Sequence, residues 1–374
     1  MIERGNMMRI EADFECGNAI VEQMTDTEAQ LTIRPDTNAK SFQWFYFRVT
    51  GEVSVLRTFN LTNAHAVSYP QAWNGYRAVA SYNGRDWFRV QTQYVNGVLI
   101  LKHRAEQTST EYAFFVPYFE AQREKLLEDC AKVGERRTLL TTSGGRPIDA
   151  IIFGDKAATK KVWIYSRHHA GEPMAEYCIE GIMRRLADAD DPTTQQLLAA
   201  GIAFYCVPNI NPDGTASGNL RANAAGIDLN RDWKQTVEPK SVEVGGLMKA
   251  LEAEGVDFFL DLHGDEEHQY VWLVQPHPDL VAPEVAPLQE QLESFARDRY
   301  AEYGTAPESD PPSPADSGMA VDYVAWKYKC PSLIVELPFK DTIAANGAFD
   351  SLQVAGCMAY GRDCVDMIAQ VMLG

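Results

Sequence analysis

The chain changes texture near Pro117-Tyr118, and no other feature constrains its fold as tightly. From about Asn18 to Pro117 it runs in short segments rich in aromatic and β-branched residues, at 41–50, 54–62, 87–94 and 98–102. Asn83-Gly84 and Asn96-Gly97 separate the later segments, as hairpin turns do. Residues 1–118 are therefore expected to form an all-β sandwich. Beyond 118 the pattern alternates. Helical spacing covers 121–133, and apolar strand-like runs at 149–153, 161–165, 202–207, 257–262 and 332–337 interleave with helix-like stretches at 173–186, 241–254, 288–303 and 347–372. That alternation predicts a second, α/β domain over 119–374, built on a sheet with crossovers. One segment, 305–318, carries four prolines, which exclude a regular helix or interior strand. It is a candidate lid.

With 374 residues and 45% hydrophobic content the chain can bury a sizeable core in two domains. Its 34 basic against 52 acidic residues give a net charge of −18, which argues against nucleic acid and anionic membrane surfaces as partners. The seven cysteines are odd in number and scattered, with no Cys-x-x-Cys pair, so neither a disulfide framework nor a cysteine metal site is expected. The first residues lack the roughly 7–15 apolar positions of a secretory signal. No run reaches the ~20 apolar residues of a membrane span. A soluble cytoplasmic protein is the expectation, and no oligomer is specified by the pattern.

Four groups of residues carry chemistry. His169 and Glu172 follow the strand-like run at 161–165 and precede Pro173, at a helix start, where a His and a carboxylate three apart can face one point. Alone such a pair is usually chance or a solvated helix end. His263 follows the apolar run 257–262 and offers a third ligand from a neighbouring strand; two His, one Glu and an open position form a recognised catalytic zinc set. Glu336 lies inside the apolar run 332–337, where desolvation raises a carboxyl's pKa towards neutrality and suits it to proton transfer. The bland alternative is a Glu on the solvent face of an edge strand. Finally, Arg221 and Arg231 are cations in an acidic chain, and Asn230 with Arg231 can hold a carboxylate, although an isolated Arg pair is usually a solvated face.

Taken in order, His-Ala-Gly-Glu at 169–172, Gly-Ile-Asp-Leu-Asn-Arg at 226–231, Asp-Leu-His at 261–263 and the strand-borne Glu336 resemble the M14 family of zinc carboxypeptidases. The first half, with Trp44-Phe-Tyr-Phe-Arg-Val-Thr-Gly51 and Val116-Pro-Tyr118, resembles the cytosolic carboxypeptidase branch. The resemblance implies a mixed-sheet, three-layer α/β/α carboxypeptidase-like domain behind the sandwich. It implies one Zn2+ held by His169, Glu172 and His263, with Glu336 as catalytic acid and base. Arg221 would polarise the scissile carbonyl, Asn230 and Arg231 would bind the substrate's terminal carboxylate, and Asp228 would orient His169. The substrate would be a peptide or protein C-terminal tail, glutamate being the residue associated with this branch. Lys340, Arg167 and Lys327 are the candidate cations for a glutamate pocket, whereas Asp265-Glu266-Glu267 would repel an acidic tail if they faced the cleft. Two departures stand out: His168 beside His169 is a rival imidazole, and Pro314 falls where pancreatic-type relatives carry a capping Tyr, leaving Tyr303 or Tyr323 as substitutes. The competing readings are a zinc amidohydrolase acting on N-acyl amino acids or cell-wall peptides, and a noncatalytic peptide-binding module.

Overall fold

A computed structural model describes residues 7–299, 317–343, 349–350 and 354–374. The first half forms two facing five-stranded sheets. One has the spatial order Arg9–Glu11, Tyr46–Thr50, Ser109–Ala113, Val79–Ser81, Trp87–Arg89; the other runs Ile20–Met24, Glu28–Thr32, Leu56–Leu61, Val98–Arg104, Gln91–Val95. Phe47 and Tyr112 of the first sheet meet Phe59 of the second at ring separations of 5.5 and 4.9 Å, so aromatic residues fill the sandwich. The Asn96-Gly97 turn has φ of 52° and 84°, the paired positive angles that match the twist of a two-residue hairpin.

Two expected strands differ in detail. Residues 87–94 divide at Val90 into strands of different sheets, because the buried Val90 donates its N–H to Ala78 O (3.0 Å) while the chain crosses over. Residues 41–45 stay out of the ladder. Phe42 N donates to Ser68 Oγ (3.1 Å), and the buried Gln43 amide brackets the backbone of Tyr69 instead.

The second half is built on a seven-stranded mixed sheet in the order Glu135–Thr141, Pro147–Phe153, Ile202–Val207, Lys160–Ser166, Phe258–Asp265, Ser332–Pro338, Trp272–Val274. The four strands from Ile202–Val207 to Ser332–Pro338 are parallel and almost wholly buried, which explains their continuous apolar runs. Antiparallel strands close both edges. Helices Pro173–Leu186 and Val354–Leu373 pack together on one face. Their glycines permit it: a Cβ on Gly181 would stand 2.1 Å from Met358 O, and one on Gly361 would stand 2.0 Å from Cys178 O. Helices Val242–Glu254 and Ala320–Tyr328 cover the other face around Trp163, Phe259 and Trp233. Ser241 caps the former, its Oγ accepting from Val244 N (3.3 Å).

Both edge strands and the helix Ala320–Tyr328 are additional to the sequence expectation. Glu135–Thr141 is charged and half-exposed, and Trp272–Val274 has only three residues, so neither carries a strand's apolar signature. Residues 305–316 of the candidate lid, with Pro314, and also Tyr303 lie outside the described residues. The halves are joined by Phe114 stacked on Phe339 (4.5 Å) and by Arg89 Nε on Asp341 (2.9 Å), both pairs buried. Among the described residues no helix is long and apolar enough to cross a membrane.

Candidate active site

His169 and Glu172 occupy the turn that follows strand Lys160–Ser166, with Glu172 at the N-cap of helix Pro173–Leu186. His263 lies within the adjacent strand Phe258–Asp265 rather than beyond its end. Glu336, on the next parallel strand, is His263's direct register partner. It is not on an edge strand, since Trp272–Val274 covers that side. Parallel register thus delivers three strands' residues to one end of the sheet, where α/β folds bind ligands. Gly264 permits the close approach: a Cβ there would press on Met174 Sδ at 2.4 Å and Glu172 Cγ at 3.2 Å, and its N–H donates to Glu172 Oε2 (3.0 Å).

The donor set is compact. Glu172 Oε1 lies 2.6 Å from His169 Nδ1, Oε2 lies 3.0 Å from His263 Nδ1, and the two Nδ1 atoms are 3.2 Å apart. Behind each ring stands a carboxylate. Asp228 Oδ1 is 3.3 Å from His169 Nε2, and Asp261 Oδ2 is 2.9 Å from His263 Nε2. Asp261 accepts from His263 Nε2, and Asp228, in ion-pair contact with the buried His169 Nε2, favours the same arrangement there, so both Nδ1 atoms face one another and a carboxylate. Such a cluster of acceptors fits a cation, and borderline N/O donors of this number suit zinc.

His168 is not part of that set. Trp233 Nε1 donates to His168 Nε2 (3.0 Å), so the ring proton sits on Nδ1 and goes to Asp261 Oδ1 (2.8 Å). Asp261, fully buried, therefore accepts from two imidazoles. Burial pushes its carboxyl up, but His168 and His263 outweigh that and hold it at about 2. The further grouping of His168, Asp261 and His263 is a hydrogen-bond relay behind His263.

Glu336 faces the donor set from a half-buried position. Burial drives its carboxyl up to about 8; His263 opposes the rise, and Glu172, Asp265 and Asp261 reinforce it. Arg221 is held by Asp228 (Nε to Oδ2, 2.6 Å), and its Nη1 donates to Tyr69 OH (2.8 Å). The sandwich also grips the backbone here: the Asp36 carboxylate accepts from the N–H groups of Leu220, Arg221 and Ala222 at 2.6, 2.8 and 2.8 Å. Asp36 and Tyr69 were missed in the sequence because they lie far upstream, in a domain with no local motif pointing to the site. Arg231 is exposed, as a substrate-facing cation should be. Asn230 is buried: Oδ1 accepts from Ala320 N (3.0 Å) and Nδ2 lies 3.3 Å from His263 Nε2.

The pocket candidates are mostly committed elsewhere. Arg167 is buried beside Glu176 (3.7 Å) and Thr215 (3.1 Å), Lys340 Nζ donates to Glu267 O (2.7 Å), and Lys327 Nζ to Tyr323 OH (3.1 Å). Tyr323 packs on Trp233 and Trp326. Of the acidic trio, Asp265 is closed on His268 and Trp272 (2.6 Å each), and Glu267 accepts from Gln71 of the sandwich. Asp265 still acts on Glu336 through its charge, and Glu266 shares the site's electrostatics most directly. Burial first, then Glu172 and Asp265, raise its carboxyl well above the usual range, against Arg221.

Residues 10–115 match the family model described as the cytosolic carboxypeptidase N-terminal domain, and residues 120–344 match that described as zinc carboxypeptidase. A metallo-carboxypeptidase from Burkholderia cenocepacia superposes with a TM-score of 0.91 at 32% identity, over 98% of this chain and 99% of that one. A metallo-carboxypeptidase from Pseudomonas aeruginosa, solved with (2-guanidinoethylmercapto)succinic acid, gives 0.90 at 34% identity over 97% and 99%. Cytosolic carboxypeptidase 6 of Caenorhabditis elegans is 28% identical over 255 residues, 62% of this chain and 55% of that longer one, so the chain spans about half the length of that relative.

Proposed function

The chain belongs to the zinc carboxypeptidase family, and on that premise we propose that it removes single residues from the C-termini of peptides or protein tails. The observation that carries this reading is the convergence of His169, Glu172 and His263 on one point with Glu336 in register beside them. Those three side chains would hold one Zn2+. When bound, zinc supplies Lewis acidity, polarising a carbonyl and lowering the pKa of a water from about 15.7 towards about 7.

The remaining work falls to the chain's own groups. Glu336 accepts the attacking water's proton on its carboxylate and returns it to the leaving amine, a role its raised pKa suits. Arg221, fixed by Asp228 and Asp36, directs guanidinium N–H groups at the scissile carbonyl oxygen as it gains charge. Arg231, exposed beside them, binds the terminal carboxylate and thereby restricts cleavage to the last bond. Asn230 joins it only by turning its amide away from Ala320 N and His263. Asp228 and Asp261 fix the tautomers of His169 and His263.

Release of glutamate calls for a cation at the side-chain pocket. Because Lys340, Arg167 and Lys327 have internal partners, the geometry favours C-terminal cleavage without favouring glutamate. A panel of peptides differing only in the final residue, with N-acyl amino acids as a second arm, tests both points by mass spectrometry of the zinc-loaded protein. Loss of one C-terminal residue from at least one peptide is expected. Turnover confined to the N-acyl amino acids would replace this reading with the amidohydrolase one.

A further inference from the structure

Besides Asp36, the N-terminal domain sends Tyr69 into the site, and its hydrogen bonding is incomplete in an informative way. Its hydroxyl accepts from Arg221 Nη1 at 2.8 Å. A guanidinium only donates, so the phenolic proton cannot be spent on Arg221. Among the described residues no acceptor stands within hydrogen-bond distance of that proton, which leaves it without a partner beside Arg221. The hydroxyl is also held in place. Gln43, fully buried, accepts from Tyr69 N (2.9 Å) and donates to Tyr69 O (3.2 Å), so both backbone polar groups are clamped before Pro70 begins a tight turn. The charges around the ring are those of the site: Glu266, Arg221, Glu172 and Asp228. Burial, with Glu266, keeps the phenol protonated well beyond neutral pH, so it remains a donor.

We propose that Tyr69 is a substrate-contacting residue supplied by the N-terminal domain: its hydroxyl accepts from Arg221 and donates to the same carbonyl oxygen that Arg221 engages. This rests on the carboxypeptidase reading above. No bond is made or broken at Tyr69; the hydrogen bond strengthens as the oxygen becomes an oxyanion, so it favours the transition state over the ground state. The sandwich then completes the active site, with Asp36 setting the backbone and Tyr69 the oxygen contact.

Tyr69→Phe is isosteric and tests this directly. With zinc content and circular dichroism unchanged, kcat should fall about 10²-fold, as on removal of one oxyanion donor, while KM is retained. Calorimetry supplies a second readout. A phosphonate peptide, which carries the charged oxygen, should bind the variant about 10²-fold more weakly, whereas the product peptide should bind equally. A merely structural role would weaken both. Wild-type kcat in Tyr69→Phe, or equal weakening of both ligands, overturns the inference while leaving the carboxypeptidase reading intact. Full activity of Glu336→Gln would overturn that reading itself.

Discussion

His263 and Glu336 are paired across adjacent parallel strands, one residue opposite the other. Because side chains alternate along a strand, this register puts both on one face; a slip of one residue would send Glu336 into the opposite core. Their separation of tasks gives the first expectation. Glu336→Gln preserves shape and leaves the His169, Glu172 and His263 donors untouched, so zinc content should match wild type while activity falls by about 10²–10⁴-fold. His263→Ala should lose the metal. Metal analysis beside peptide turnover checks both, and a zinc-replete His263→Ala protein would remove that residue from the ligand set.

The pH dependence follows from Glu336's surroundings. As base it must be ionised, so kcat/KM should rise with pH through its pKa and decline as pH falls below it. Burial lifts the carboxyl to about 8 against the opposing pull of His263, and a zinc ion held by the neighbouring donors would draw it down from there. The acid limb should therefore lie above about 4.3, the ordinary glutamate value, and below about 8. A pH–rate profile locates it, and an acid limb at or below the ordinary value would contradict the desolvated placement.

Asp261 offers a test of the relay behind His263. Its two oxygens accept from His168 Nδ1 and His263 Nε2, at 2.8 and 2.9 Å. Asp261→Asn keeps the volume but turns one oxygen into a donor, which faces a ring N–H and forces one imidazole to change tautomer. Zinc affinity should drop about 10–100-fold, as for other carboxylates behind ligating histidines. Competition against a chelator measures it. Undiminished affinity would reduce Asp261 to packing.

The sheet and its catalytic end were legible because buried parallel strands leave unbroken apolar runs, and ligand-type residues stand conspicuously at or inside them: His169, His263 and Glu336. What the sequence concealed is of two kinds. Short or charged edges such as Trp272–Val274 and Glu135–Thr141 bury too little to leave a pattern. Contacts over long separations leave none either. Asp36 reaches Arg221 across 185 positions and Tyr69 across 152, so the sandwich's share of the site appears only in three dimensions. Orientation was equally hidden: the acidic trio 265–267 reads as one repulsive patch, yet the Asp265 and Glu267 carboxylates are engaged by Trp272 and Gln71, and Glu266 is the one coupled to Glu172 and Arg221.

All seven cysteine side chains are buried. Burial pushes the thiols of Cys16 and Cys330 to about 12 and that of Cys130 to about 11, which keeps them protonated and slow as nucleophiles. A thiol-specific chromogenic reagent should therefore label none in the native protein at neutral pH, and all on unfolding in denaturant. Rapid reaction of even one native thiol would show that its cover opens readily.

Asn230 and Arg231 are neighbours in sequence, yet their surroundings predict opposite phenotypes. Arg231 is exposed and, among the described residues, its side chain hydrogen-bonds only to its neighbour's carbonyl, Asn230 O at 2.7 Å. Its removal should raise KM for peptides, with little effect on zinc content or melting temperature, because a solvent-facing guanidinium contributes mainly when the substrate's carboxylate arrives. Asn230 is buried between Ala320 N and the His263 ring. Asn230→Ala would leave the Ala320 N–H without its partner, which costs about 1–3 kcal/mol, and would remove the side chain packed beside the His263 ring. Lower thermal stability and weaker zinc binding are expected, alongside any change in KM. Calorimetric melting and chelator competition on both variants decide the matter: if Asn230→Ala raises KM alone, its amide serves the substrate as directly as Arg231 does.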